Sequence, residues 1–265
     1  MKQHLNNWLK NNQMFNIKTF KQALFKQNCL LCAANIHTLQ AQGLSPQNIP
    51  AADGYSYVKA NNHALCRACL ESLPWHTASH CPQCGLSSSG IVCGGCINSP
   101  PDFDATYAVF LYAYPIDAMM QRYKYGNMLS LSMLFGQLLN DKINPNNVDL
   151  IIPMPMHPTR LKERGFNQAV EIAKVLNISH VNKLDYKSVI RQTLTSPQAS
   201  LPLKERVKNI KGAFSATSDL TGKKIAIVDD VMTTGASLNE LAKTLKKAGA
   251  AHVECWVIAR TLPNK

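Results

Sequence analysis

Two adjacent carboxylates follow a short apolar run in the last sixth of this sequence. The run Ile225–Val228 is followed at once by Asp229 and Asp230, and then by the short polar stretch Thr233–Ser237. Four apolar residues in a row predict a buried strand, and open α/β sheets bind their ligands at the carboxyl ends of strands. Carboxylates at that position accept hydrogen bonds from a sugar diol or hold Mg2+. The residues therefore favour a polar ligand that carries neighbouring hydroxyl groups.

The residues after the acidic pair are suited to a phosphate. Small and hydroxyl-bearing side chains around Gly235 allow backbone N–H groups to surround an anion at the start of the next helix. One alternative is the acidic strand of an ATPase, but the chain has no G-x-x-x-x-G-K-[ST] motif. A second alternative is a plain helix cap at Thr234, which explains one carboxylate but not two. The acidic pair and the residues that follow it together predict a binding site for a ribose 5-phosphate.

Three cations lie close together after a proline-rich turn. A Pro-Met-Pro turn follows the predicted strand over 149–152, and Arg160, Lys162 and Arg164 come next. Basic groups on a loop held by proline suit a diphosphate, because several charges converge without a large ordering cost. Basic surface loops before helices are also common, so the diphosphate interpretation depends on the combination with the acidic loop.

Eight of the nine cysteines form four C-x-x-C pairs: Cys29, Cys32, Cys66, Cys69, Cys81, Cys84, Cys93 and Cys96. Two residues between thiolates let both reach one tetrahedral ion, so the pairs predict two four-thiolate zinc sites. Closed shells leave no position for water, which makes these sites structural rather than catalytic. So many C-x-x-C pairs favour metal over redox chemistry. Sequential pairing is the simpler arrangement, and a crossed arrangement remains open.

Histidines between the cysteine pairs are not needed as ligands. Because eight thiolates already complete two shells, we expect the four imidazoles of this region to lie at the surface. They are His37, His63, His76 and His80.

A change in composition near Pro100 divides the chain. We expect an N-terminal extension over 1–28, a small zinc-ribbon-like module over 29–100 and an α/β domain over 101–265. In the last part, apolar strands alternate with amphipathic helices, which predicts a mostly parallel sheet. The predicted strands cover 107–114, 149–152, 225–228 and 253–259, and the predicted helices cover 116–123, 129–139, 167–176 and 236–248.

Composition limits the class of protein. Of the 265 residues, 46% are hydrophobic and 17% are charged, which is typical of a globular protein. No stretch suits a membrane span or an export signal, so we expect a cytoplasmic location. The formal charge of +12 falls to about +8 once two zinc ions occupy eight thiolates. The basic stretches over 1–28 and 160–211 are candidates to meet phosphates.

The acidic loop resembles the signature of type I phosphoribosyltransferases over all thirteen residues of Ile225–Ser237. The resemblance implies that Asp229 and Asp230 contact the ribose hydroxyls and are the candidate catalytic residues. It further implies that the 5-phosphate is bound by Val231, Met232, Thr233, Thr234, Gly235, Ala236 and Ser237. Mg2+ would enter together with phosphoribosyl pyrophosphate.

Several further motifs are similar to those of the ComF (ComFC, GntX-like) family of competence proteins. They are the Pro-x-Pro turn, Arg164-Gly-Phe-Asn-Gln168, the run from Arg191 through Gln198 and Arg206 to Phe214, the Asp-Asp loop and the C-x-x-C pairs. The resemblance implies a pyrophosphate loop with Arg160, Lys162 and Arg164. It also implies a mobile cover loop with Arg191, Gln198 and Arg206.

Three functions are compatible with these observations. By family resemblance, the chain would handle incoming single-stranded DNA in the cytoplasm during natural transformation, with other competence proteins such as a helicase as partners. The alternative is an active phosphoribosyltransferase in nucleotide or cofactor salvage, in which the cations stabilise the departing diphosphate. The third is a zinc-ribbon interaction module whose sugar-phosphate site only senses a metabolite. The basic charge suits a nucleic acid, but no aromatic stacking platform is evident, since aromatic residues make up 7%.

Overall fold

The computed structural model describes residues 28–36, 65–126, 128–176, 183–194 and 210–263. Among them, 28–36 and 65–72 belong to a first compact unit, and the described residues from 73 onward belong to a second. By its contacts, the segment 73–100 groups with the α/β part of the chain. No helix among the described residues is long and apolar enough to cross a membrane.

A parallel sheet forms the centre of the second unit. Its strands are β1 (Ala105–Leu111), β2 (Leu150–Pro153), β5 (Lys224–Met232) and β6 (His252–Arg260). They lie in the order β1-β6-β5-β2, and every neighbouring pair is parallel. The middle residues of the two central strands, Ile225–Val228 and Cys255–Ala259, are apolar because helices cover both faces of the sheet. The predicted α/β class with a parallel sheet is confirmed.

Helices connect these strands. They are α3 (Ile116–Tyr125), α4 (Ser130–Lys142), α5 (Pro158–Arg164), α6 (Gln168–Ala173) and α7 (Ala236–Lys247), with a 3-10 turn at Pro145–Asn147. Leu238, Leu241 and Leu245 form the apolar stripe of α7 and pack with Ile225 and Ile227 of β5. The β5 residues that alternate with Ile225 and Ile227 point to the other face of the sheet, because side chains alternate along a strand. On that face, α4 packs on β1 and β6, and α6 packs on β2 and β5.

Helix α5 was not predicted, because the segment reads as a loop in the sequence. Pro158 occupies the first helical turn, and the imidazole of His157 accepts a hydrogen bond from the Thr159 amide at 3.2 Å. Gly165 ends the helix in the left-handed conformation with φ of 79°. Proline at the start and glycine just past the end are ordinary helix signals, so the basic residues lie on or at the end of a helical turn rather than on an extended loop.

A small antiparallel ribbon accompanies the sheet. It consists of β3 (Val189–Arg191) and β4 (Phe214–Ala216), with Arg191 opposite Phe214. Most of the chain that joins these two strands lies outside the described residues.

The described residues of the first unit form a tight turn and one short helix. Cys29 and Cys32 lie in the turn, where the Cys29 amide donates to the Ala34 carbonyl at 2.8 Å. Cys66 precedes α1 (Arg67–Glu71), and Cys69 lies within that helix. Helix α2 (Gly94–Asn98) belongs to the second unit and begins directly after Cys93.

Candidate functional site

The acidic pair belongs to the final part of β5. The strand continues to Met232, so Asp229 lies opposite Val257 of β6 instead of following the strand. The phosphate loop, defined here as Val231–Ser237, then turns into α7. Gly235 adopts φ of 81° as the N-cap residue, and the Thr234 hydroxyl accepts a hydrogen bond from the Ala236 amide at 3.2 Å. The N-terminus of a helix of this length is favourable to an anion.

The two carboxylates have different surroundings. Asp230 is 8% exposed and forms an ion pair with Lys124, whose Nζ lies 3.0 Å from Asp230 Oδ2. Asp229 is half-buried and accepts a hydrogen bond from the Asp230 amide at 2.9 Å. Burial, followed by the charge of Asp230, raises the pKa of Asp229 to about 7, although Lys124 and Arg191 oppose this shift. The negative charge of the two carboxylates is therefore only partly balanced by the protein, which suits the site to a cation or to hydroxyl donors.

Lys124 is a site residue that the sequence reading missed. Burial is the largest single influence and opposes its charge, but the attractions of Asp230 and Asp229 together outweigh burial and raise the pKa of Lys124 above its ordinary value. The helix predicted from the sequence ended at Tyr123, just before Lys124, whereas α3 continues to Tyr125. A usable signal existed: Lys124 lies four residues after the buried Met120, which places a lysine on the inward side of the helix.

The basic segment presents two of its three cations to the same region. Arg164 donates to Gln168 Oε1 at 3.0 Å, and its guanidinium lies 5.3 Å from the centre of the Tyr125 ring. Arg160 is half-buried, whereas Lys162 is exposed. Asn167 holds this segment in place, because its side chain donates to the Met154 carbonyl and accepts from the Ala169 amide, each at 3.0 Å.

One cavity of about 430 Å³ joins these elements. Most of the site residues predicted from the sequence line this cavity: Arg160, Arg164, Arg191, Asp229, Asp230, Val231, Met232, Thr233, Gly235, Ala236 and Ser237. Lys162 and Thr234 are not among its lining residues, so Lys162 is not brought to the cavity as predicted. Gln198 and Arg206 lie outside the described residues. The lining also includes Tyr112, Gln121, Lys124, Tyr125 and Gln168, which the sequence reading did not assign to a site.

Arg191 brings the antiparallel ribbon to the cavity. Its guanidinium lies 5.6 Å from the centre of the Phe214 ring. Burial lowers the pKa of Arg191, and the charge of Asp229 opposes that change. A half-buried cation therefore faces the acidic pair from β3, while Lys124 does so from α3.

The eight cysteines form two separate clusters in the sequential arrangement. In each cluster the four sulfur atoms lie within 4.8 Å of one another. Cys32 and Cys66 sulfurs are 3.7 Å apart, as are those of Cys84 and Cys93. A tetrahedral zinc ion with Zn–S bonds of about 2.3 Å requires sulfurs separated by about 3.8 Å, so both thiolate sets fit zinc.

Backbone donors prepare the second cluster for an anionic sulfur. Burial opposes ionisation of the Cys81 thiol, but hydrogen bonds from the backbone of Cys84 and Cys93 outweigh it and lower its pKa to about 7. His76 is buried at 4% exposure, which corrects the expectation that it lies at the surface. It packs against His80 and reaches the Gly85 carbonyl at 2.9 Å, so it supports the turn without belonging to either cluster. His37 and His63 lie outside the described residues.

The acidic pair also fits a divalent cation by its donor chemistry. Asp229 and Asp230 offer carboxylate oxygens at the cavity, and such oxygens are the ligands that Mg2+ prefers. Bound Mg2+ would supply positive charge to a ligand that carries a diphosphate. Around it, the protein offers amide donors at the phosphate loop and guanidinium groups at α5.

Comparisons with known proteins agree with this geometry. The family model described as "Phosphoribosyl transferase domain" matches residues 139–263. "Competence protein F" of Haemophilus influenzae is 28% identical over 252 residues, covering 89% of this chain and 98% of that protein. "DNA utilization protein YhgH" of Escherichia coli O6:H1 is 33% identical over 191 residues, covering 69% and 84%. "Competence protein ComFC" of Streptococcus pneumoniae is 23% identical over 234 residues, covering 88% and 99%.

The parallel sheet, the acidic strand end and the matched family model define a phosphoribosyltransferase-type domain. The similarity to competence proteins extends well beyond that domain, because it spans 89% and 88% of this chain. The chain belongs to the ComF family of competence proteins.

Proposed function

We propose that this chain acts in natural competence and that its cavity binds phosphoribosyl pyrophosphate together with Mg2+. A competence role is supported by relatives that carry that name over nearly their whole length. The observation that carries the ligand proposal is a cavity that joins an acidic strand end to two arginines of a separate helix. A sugar with phosphate at both ends matches this distribution of charge, because its hydroxyls meet carboxylates and its phosphates meet donors and cations.

The proposed contacts follow the chemistry of each element. Asp229 and Asp230 accept hydrogen bonds from the ribose hydroxyls, and the amides of the phosphate loop donate to the 5-phosphate. Arg160 and Arg164 meet the diphosphate. Lys162 is omitted from these contacts because it does not line the cavity. Arg191 meets the ligand from β3, and Gln198 and Arg206, the other cover-loop candidates, lie outside the described residues.

The first test is a calorimetric titration with phosphoribosyl pyrophosphate and Mg2+. Wild type is expected to bind, and the Asp229→Asn/Asp230→Asn variant is expected to lose about a hundredfold or more in affinity, because two charged acceptors are lost. Asp219→Asn is the matched control, since Asp219 is an exposed carboxylate that accepts hydrogen bonds only from its own turn. Absence of binding by wild type would remove the ligand proposal.

Handling of single-stranded DNA in the cytoplasm is the finer part of the proposal. The charge of +12 supports it, because neutralisation of phosphates supplies most non-specific affinity for nucleic acids. A competence helicase is the kind of partner that this role would require. The double Asp variant is expected to lower transformation frequency in the host organism, whereas Asp219→Asn leaves it unchanged. Equal transformation by both variants would separate the sugar-phosphate site from competence.

An active phosphoribosyltransferase is the second candidate. The observation that favours it is the approach of Arg160 and Arg164 to the cavity that also holds the acidic pair, since cations there would stabilise a departing diphosphate. Incubation with phosphoribosyl pyrophosphate, Mg2+ and a panel of nucleobases would then release pyrophosphate faster than in the double Asp variant. Binding without release of pyrophosphate would leave a ligand-binding domain that performs no transfer.

A further inference from the structure

One buried arginine connects the second cysteine cluster to the phosphate loop. Arg260, the last residue of β6, is 3% exposed. Its Nη1 donates to the Met232 carbonyl at 3.0 Å, to the Thr261 carbonyl at 2.8 Å and to the Thr233 carbonyl. Its Nε donates to the Cys84 carbonyl at 2.8 Å. One rigid guanidinium therefore holds two carbonyls of the phosphate-loop region and one carbonyl of a predicted zinc ligand.

The turn that contains Cys84 is itself fixed against the sheet. We call residues 81–86 the knuckle. The Thr106 amide donates to the Pro82 carbonyl at 3.0 Å, and the Thr106 hydroxyl donates to the Gln83 carbonyl at 2.6 Å. A Cβ at Gly85, where φ is +70°, would lie 3.3 Å from Thr106 Cγ2. The knuckle thus has little freedom to shift relative to β1 without losing these bonds.

The charge of Arg260 also points to the cluster. A buried cation needs compensation, because transfer of an unpaired charge out of water is costly. Among the ion pairs of the described residues, none involves Arg260. Four thiolates around one Zn2+ carry a net charge of about −2, and the guanidinium donates to the backbone carbonyl of Cys84, one of these four cysteines. The loaded cluster is therefore the counter-charge for this arginine.

We infer that Arg260 is a positioning residue through which the zinc-loaded second cluster holds the phosphate loop in its ligand-binding shape. The inference extends the proposed function, because it assigns the second cluster a role in the affinity of the sugar-phosphate site. Metal loss would remove the counter-charge and loosen the knuckle, and the carbonyls of Met232 and Thr233 would lose their fixed donor. No cysteine needs to contact the ligand for this effect.

Amide hydrogen exchange of the ligand-free protein tests the coupling directly. Arg260→Lys keeps the charge but loses the fork of donors, and Cys93→Ser removes one thiolate of the second cluster. Both variants are expected to raise exchange in the phosphate loop about tenfold or more, since each weakens hydrogen bonds to a charged donor. Cys69→Ser, in the other cluster, is the matched control and is expected to leave that exchange near the wild-type rate. Zinc analysis verifies that each cysteine variant has lost one ion.

General destabilisation needs its own control. Gly136→Ala disturbs the packing of α4 and α6, because its added Cβ would lie 2.4 Å from Val175 Cβ. It is expected to lower global stability without a selective increase of exchange in the phosphate loop. If Gly136→Ala and Arg260→Lys give the same exchange pattern, the arginine is merely structural and the inference is wrong. Should Cys93→Ser fail to fold, the comparison of these two variants still decides.

Affinity for phosphoribosyl pyrophosphate separates this inference from the proposed function. Arg260→Lys is expected to weaken binding about tenfold relative to wild type. Unchanged exchange and unchanged affinity in Arg260→Lys would overturn the coupling while wild-type binding still supports the site. Conversely, altered exchange with no binding by wild type would retain the coupling and remove the proposed ligand.

Discussion

The ion pair between Lys124 and Asp230 leads to a quantitative prediction. At the observed separation of 3.0 Å, two unit charges attract by about 5 kcal/mol at an effective dielectric constant near 20 and by about 1.4 kcal/mol in water. Both side chains are mostly buried, with 22% and 12% exposure. Fixing the lysine side chain costs part of this attraction. We therefore expect a coupling free energy of about 1 to 3 kcal/mol.

A double-mutant cycle measures this coupling. Lys124→Met, Asp230→Asn and the double variant are unfolded in urea without Mg2+ at neutral pH, and the free energies of unfolding are compared. Lys124→Met alone is expected to cost about 3 kcal/mol, because it leaves the buried Asp230 carboxylate without its ion-pair partner. Asp230→Asn should cost less, since the charge of Asp229 also attracts Lys124.

The exposed pair of Lys174 and Glu171 supplies the reference. Its atoms lie 2.8 Å apart, but the side chains are 54% and 27% exposed, so its coupling should stay near 0.5 kcal/mol or below. Added salt should reduce the exposed pair more than the buried one. A coupling between Lys124 and Asp230 no larger than that of the reference pair would refute the assignment of Lys124 as the partner of the acidic site.

Three other outcomes are expected. Metal analysis should return about two zinc ions per chain, as two four-thiolate sets require, and one ion or none would contradict the assignment. Gly136→Ala should lower the free energy of unfolding by about 1 to 3 kcal/mol through overpacking against Val175, whereas Gly94→Ala, where an added Cβ meets nothing within 4 Å, should change it by less than about 0.5 kcal/mol. Burial, with the charge of His80 second, lowers the pKa of His76 from 6.5 to about 4. The folded state favours the neutral ring, so its stabilisation is complete above pH 6.5 and declines by up to about 3 kcal/mol as the pH falls toward 4. His76→Gln should show a shallower decline in urea unfolding over that range, and equal slopes would refute this explanation.

Much of the fold could be predicted because it depends on local patterns. The apolar run of β5 and the leucine stripe of α7 have the periodicities of a buried strand and an amphipathic helix. The start of β5 and both ends of α7 lie within one residue of the expected bounds. Boundaries were less accurate where tertiary pairing extends an element. Strand β5 continues to Met232 because β6 pairs with it up to Arg260. The sequence does not indicate this extension, because β5 contains polar residues after its apolar run.

The candidate site was predictable where its residues are contiguous. The phosphate loop and the acidic pair lie in one continuous segment, so the order of their residues is enough to predict their chemistry. The same holds for each C-x-x-C pair, because two intervening residues already bring both sulfurs to one ion. Which pairs share an ion was open from spacing alone, and the tertiary structure brings them together sequentially.

Contacts between distant segments were decided only by the tertiary structure. Lys124 meets Asp230 because α3 packs beside the end of β5, and Arg260 reaches Cys84 across 176 residues of chain. Neither pairing has a local signature, since a buried ion pair or a carbonyl contact depends on where packing places the backbone. The sequence by itself determined the ligand chemistry of the acidic loop and the cysteines. Packing alone decided which charges neutralise that loop and which buried donor holds it in shape.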